Sequence, residues 1–81
     1  MEAETVQSRQ IVAARGLLRW SQPDLASAAG ISVSTIKRLE ADKPVTAANR
    51  RATLAALEAA GVEFTNGDEP GVKLRKKGKR K

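Results

Sequence analysis

Residues 33 to 38, VSTIKR, set an apolar side chain, two hydroxyls and two cations within two helical turns. If this stretch is helical with Ile36 and Leu39 inward, then Val33, Ser34, Thr35, Lys37 and Arg38, with Ala41 beyond them, form the outward side. Such a surface suits a nucleic acid, because cations and hydroxyls bind phosphate oxygens and the same groups can address base edges. It does not suit catalysis. The chain has no His, Cys or Tyr, no phosphate-binding glycine loop, and carboxylates scattered over helix surfaces, which argues against an enzyme. The same inventory implies no metal site and no cofactor. Trp20 and Phe64 are the only aromatic residues, and both have structural uses, so no platform is left for stacking the bases of single-stranded nucleic acid.

Positioning that surface requires a second helix. Ser21 is placed to cap a helix that begins at Gln22, with Asp24 reaching back three positions and Pro23 in the first turn, where a missing N–H costs nothing. Trp20 and Leu25 flank this start as a hydrophobic staple. Eleven residues later the pattern repeats, with Ser32 as cap and Ile31 and Ile36 as staple. Gly30 lies between, free to take positive φ and turn the chain. Leu25, Ala26, Ala29, Ile31, Ile36 and Leu39 face a common interior, and Ala26 is small where two helices must approach. Two short helices joined this way, the second with its polar side exposed, have the layout of a helix-turn-helix that enters DNA.

An 81-residue chain makes one small domain. It has no apolar run of the about 20 residues that a membrane helix needs and no signal-peptide core, so a cytoplasmic protein without a membrane partner is expected. Residues 1–4 are expected to be disordered, and residues 5–61 to form the DNA-binding domain. Its first helix should run from Thr5 to Arg19 with Ile11, Ala14, Leu17 and Leu18 inward. Its last should run from Ala47 to Ala60, capped by Thr46, with Leu54, Ala56, Leu57 and Ala60 inward and Gly61 as the stop. Residues 62–75 change to strand period: Val62, Phe64, Val72 and Leu74 alternate with Glu63 and Lys73 around the loop NGDEPG. Folded back in register, Val62 faces Leu74, Glu63 faces Lys73, and Phe64 faces Val72. A lone two-stranded ribbon is marginal in water, so it should pack on the helices or pair with a second chain, and these four apolar residues form a candidate dimerisation element. Residues 76–81 are expected to trail as a basic flexible tail.

The net charge of +6 is concentrated at that end. Seven of the fifteen cations lie at or beyond Lys73, leaving eight against nine acids over residues 1–72. Within this near-neutral body Lys37, Arg38, Lys43, Arg50 and Arg51 cluster against Glu40 and Asp42 alone, a plausible phosphate-facing surface.

The segments AARGLLRWSQPDLASAAGISVSTIKRLE and LEAAGVEF resemble the Xre/Cro/CI-type repressors, small bacterial transcriptional regulators, and the resemblance spans about residues 9 to 75. It implies a mainly α, lambda-repressor-like helix-turn-helix bundle of four to five helices with a short C-terminal β-hairpin. It also implies that Gln22, Ser32 and Lys43 touch phosphates. Val33, Ser34 and Arg38 correspond to positions that read bases, flanked by Thr35 and Lys37. Arg38 is the strongest of these, since a guanidinium can hold guanine through two hydrogen bonds, and Val33 could meet a thymine methyl. Arg15 corresponds to an arginine that pairs with a glutamate near the end of the recognition helix, here Glu40. The family often has Gly where Asp42 stands.

The function expected from this reading is that of a sequence-specific regulator of transcription that binds double-stranded DNA. A homodimeric repressor on a palindromic site is its simplest form, because two linked half-sites add their binding free energies. The alternative is an antitoxin or adaptor of the same fold that binds a toxin or a polymerase subunit.

Overall fold

A computed structural model describes residues 6–65 and 70–75. The expected disordered N-terminus at 1–4, the tip of the NGDEPG loop and the basic tail at 76–81 lie outside the described residues. The chain is mainly helical, with a two-stranded antiparallel hairpin at its C-terminal end. Among the described residues there are four helices: α1 (Ser8–Leu18), α2 (Gln22–Ala29), α3 (Val33–Glu40) and α4 (Ala47–Ala59), followed by strands β1 (Val62–Thr65) and β2 (Gly71–Leu74). No helix is long and apolar enough to cross a membrane among these residues.

The helix starts follow from their caps. The Oγ of Ser21 accepts from Asp24 N at 3.1 Å while Asp24 Oδ2 accepts from Ser21 N at 2.9 Å, so two otherwise orphaned donors are satisfied reciprocally. Ser32 Oγ accepts from Thr35 N, and Thr46 Oγ1 from Asn49 N, both at 3.1 Å. Three helices end by one device. Trp20 N donates to Arg15 O at 3.0 Å, Ile31 N to Ala26 O at 3.0 Å, and Lys43 N to Arg38 O at 2.9 Å. The residue before each donor takes left-handed backbone: Arg19 at φ 60°, Gly30 at φ 73° and Asp42 at φ 64°. Only Gly30 accepts that conformation freely. Arg19 and Asp42 are strained there by about 1–2 kcal/mol, less for Asp, whose short polar side chain tolerates it.

The helices enclose Ile11, Ala14, Leu25, Ala26, Ile36, Leu39, Leu54 and Leu57. α1 begins at Ser8, three residues later than expected, because Gln7 is extended and its N–H is taken by the Gln10 side chain at 2.8 Å. Leu17 is not inward: the buried face of α1 is carried by Gln10, Ile11 and Ala14, and Leu17 sits on its flank, 43% exposed. Val12 and Leu74 are similarly exposed.

The hairpin has the expected register, with Val62, Glu63 and Phe64 opposite Leu74, Lys73 and Val72. It packs with β2 on α1 and β1 on α4. Consequently Val62 and Phe64 are buried by the chain's own helices, Val72 is half-buried, and only Leu74 stays open. Of the four apolar hairpin residues, Val62 and Phe64 therefore find their cover on the chain's own helices, the first of the two expected ways of burying the ribbon. One buried amide fixes the hairpin's loop end: Gln10 Nε2 donates to Thr65 O at 3.1 Å and to Gly71 O at 2.9 Å. The open end is closed by Arg75 N donating to Gly61 O at 2.7 Å, so Arg75 belongs to the hairpin rather than to the tail.

Candidate nucleic-acid interface

α2 and α3 are joined through the left-handed turn at Gly30 and pack on each other, and both pack on the core through Leu25, Ala26, Ile36 and Leu39. Their relative placement is fixed from behind by Glu40, at the last turn of α3. Its Oε2 accepts from Arg15 Nε at 2.7 Å and its Oε1 from Arg15 Nη2 at 3.0 Å, a bidentate pair from α1. Gln22 Nε2, at the start of α2, donates to the same Oε1 at 3.0 Å. The Glu40 side chain is only 7% exposed and that of Arg15 21%. Arg15 Nη1 also donates to Trp20 O at 3.0 Å, closing the end of α1. The pKa of Arg15 is raised from its ordinary value, chiefly by the hydrogen bond to Glu40, with burial opposing and the carboxylate's charge assisting.

On the outer side of α3, Ser34, Lys37, Arg38 and Ala41 are exposed. Val33 is half-buried and packs against the core. Thr35 is half-buried with its hydroxyl 2.9 Å from that of Ser32. Ser32, expected on a phosphate, thus has its hydroxyl engaged as a cap. Gln22, expected to do likewise, has its amide turned to Glu40, because a buried carboxylate oxygen needs its donors. Arg38 is exposed yet not free. Its Nε and Nη2 both donate to Pro44 O, at 3.2 and 2.9 Å.

The basic cluster read along the chain divides in space. Lys37, Lys43 and Arg51 are exposed and make no ion pair among the described residues. Arg50 is half-buried and donates from Nη1 to Val6 O at 3.2 Å, tying the segment before α1 to α4. It lies on the helix step that leads to buried Thr53, Leu54 and Leu57, whereas Arg51 is turned about 100° away. The structure therefore leaves Ser34, Lys37, Arg38 and Lys43 exposed on α3 and its exit, while Arg50 is half-buried and engaged with Val6 O.

Two positioning contacts escaped the sequence. Gln10 reads as a surface residue, and its burial becomes evident only once the hairpin lies on α1. Ser8 Oγ donates to Asp42 Oδ1 at 3.1 Å, supporting the strained turn after α3. The available hint was the departure at Asp42 from the glycine that the resembling family often uses. Among the described residues no group of three acidic side chains gathers to hold a metal ion.

Searches of protein-family models and of curated proteins found no match to this chain.

Proposed function

We propose that the chain is a helix-turn-helix regulator that binds double-stranded DNA in a sequence-specific manner, with a lambda-repressor-like arrangement of its helices and α3 as the recognition helix. The observation that carries this reading is the exposed row of Ser34, Lys37, Arg38 and Ala41 on a short helix capped at Ser32 and braced from behind by Glu40. A helix braced on its inner side and polar on its outer side can lie in a major groove without losing its packing. Lys37 and Arg38 supply base-edge donors, and Lys43 and Arg51 the screened attraction to phosphates. Because the side chains of Gln22 and Ser32 and the N–H groups of Ser21, Asp24 and Thr35 are engaged, phosphate contact at the two helix starts falls to the backbone N–H groups of Gln22, Val33 and Ser34.

A homodimer acting as a repressor on a two-fold site remains part of the proposal on energetic grounds, since one short helix makes few base contacts. Among the described residues the large apolar side chains open to a second copy are Val12, Leu17 and Leu74. Titration of isotope-labelled protein with duplex DNA tests the assignment. Amide shifts concentrated in residues 32–43 and at the start of α2 are expected, and shifts confined to α1 and the hairpin would contradict it.

A further inference from the structure

Arg38 is held twice by the segment that follows α3. Its carbonyl accepts from Lys43 N at 2.9 Å, and its guanidinium donates from Nε and Nη2 to Pro44 O. The acceptor is restrained, with only ψ at residue 44 left to turn it. The proline ring fixes φ at residue 44, and the residue before a proline is confined to extended backbone. Asp42, left-handed at φ 64° and hydrogen-bonded to Ser8, sets where this segment departs, and half-buried Val45 anchors its far side on the core.

A guanidinium carries five N–H groups in a fixed plane. Pro44 O takes the edge formed by Nε and Nη2. The opposite fork, made of Nη1 and the second hydrogen of Nη2, has no partner among the described residues, and two parallel N–H groups are what the O6 and N7 acceptors of guanine require. We infer that Pro44 is a positioning residue whose carbonyl pre-orients Arg38, so that this arginine meets a guanine edge with its end fork already presented. The inference rests on the reading of α3 as a recognition helix, and it makes the turn at residues 42–45 a determinant of specificity that itself touches no base. A flexible arginine would have to lose its rotamer freedom on binding, whereas here much of that loss has occurred on folding.

The test has two arms. In the free wild-type protein the Arg38 Nε–H should exchange with solvent about fivefold more slowly than that of exposed Arg51, the factor supplied by one net hydrogen bond. Equal exchange rates overturn the inference, whether or not the protein prefers a DNA sequence. In the second arm, Pro44→Gly frees the carbonyl while leaving Arg38 in place. Discrimination at the single base pair that Arg38→Ala relaxes should then fall about threefold, with affinity for random duplex unchanged. Unchanged discrimination on a preferred site overturns the inference, and so does an equal loss on random duplex. Absence of any preferred duplex refutes the recognition-helix reading instead, and should Pro44→Gly fail to fold, the exchange rates of the wild type decide.

Discussion

Replacing Glu40 by Ala removes the acceptor that joins three helices. Its carboxylate takes three side-chain hydrogen bonds, two from Arg15 of α1 and one from Gln22 of α2. Breaking a buried ion pair by deleting one partner costs about 3–5 kcal/mol, since the other charge is left uncompensated. Arg15 retains 21% exposure and its bond to Trp20 O, so part of its hydration is recovered. The lower end, about 3 kcal/mol, is therefore expected. A domain of 81 residues has about 4–12 kcal/mol in total, so the variant should fold but only marginally. In urea, with a slope of about 1 kcal/mol per M, the unfolding midpoint should fall by about 3 M. The Arg15 pKa is raised on folding, so its contribution is complete below arginine's ordinary value and is lost only as pH climbs through the higher folded value; neutral-pH measurements capture all of it. The Arg15→Met/Glu40→Leu double variant should recover to within about 1 kcal/mol of wild type, because two apolar groups restore packing without stranding a charge. A midpoint change under about 0.5 M for Glu40→Ala, the behaviour of a surface pair, would refute this reasoning.

Other outcomes follow from the same contacts. Gln10→Ala strands Thr65 O and Gly71 O, so it should cost about 1–3 kcal/mol and accelerate amide exchange of Phe64 and Val72 well before that of the helices; uniform exchange would show that the hairpin does not depend on Gln10. Arg19→Gly releases about 1–2 kcal/mol of left-handed strain, less about 0.4–1 kcal/mol for glycine's freedom in the unfolded chain, and the net of about 1 kcal/mol should raise the melting temperature by about 4–8 °C, whereas Gly30→Ala, whose added Cβ meets open space, should lower stability by about 1 kcal/mol through backbone strain alone. Truncation after Arg75 removes five cations and should weaken binding to preferred and random duplexes by similar factors while flattening the salt dependence; selective loss on the preferred duplex would mean that the tail reads bases.

What was legible in the chain was local. Ser21, Ser32 and Thr46 announce their helices because a cap is a contact between residues three apart, and Gly30 announces its turn because its conformational freedom is intrinsic. The hairpin register was legible for the same reason, since two short strands around one loop have few alternatives. What stayed hidden depends on tertiary placement. Arg19 and Asp42 take left-handed backbone that their residue types do not advertise. Gln10 is polar yet buried because two carbonyls of a distant hairpin come to it. Of the candidate interface, the outward row on α3 was visible from helical period, but the engagement of Arg38, Gln22 and Arg50 was not. Long polar side chains reach partners that spacing along one element cannot specify.

Whether α3 reads base pairs is decided by selecting random duplexes on the purified protein. Recovery of one motif made of two inverted half-sites is expected, with centres about 10 base pairs apart or a multiple of that spacing, so that two copies of α3 enter major grooves on one side of the duplex. Arg38→Ala should recover the same motif with one position in each half-site relaxed. Recovery of no enriched sequence at physiological salt, where wild type binds every duplex alike, would contradict a base-reading α3.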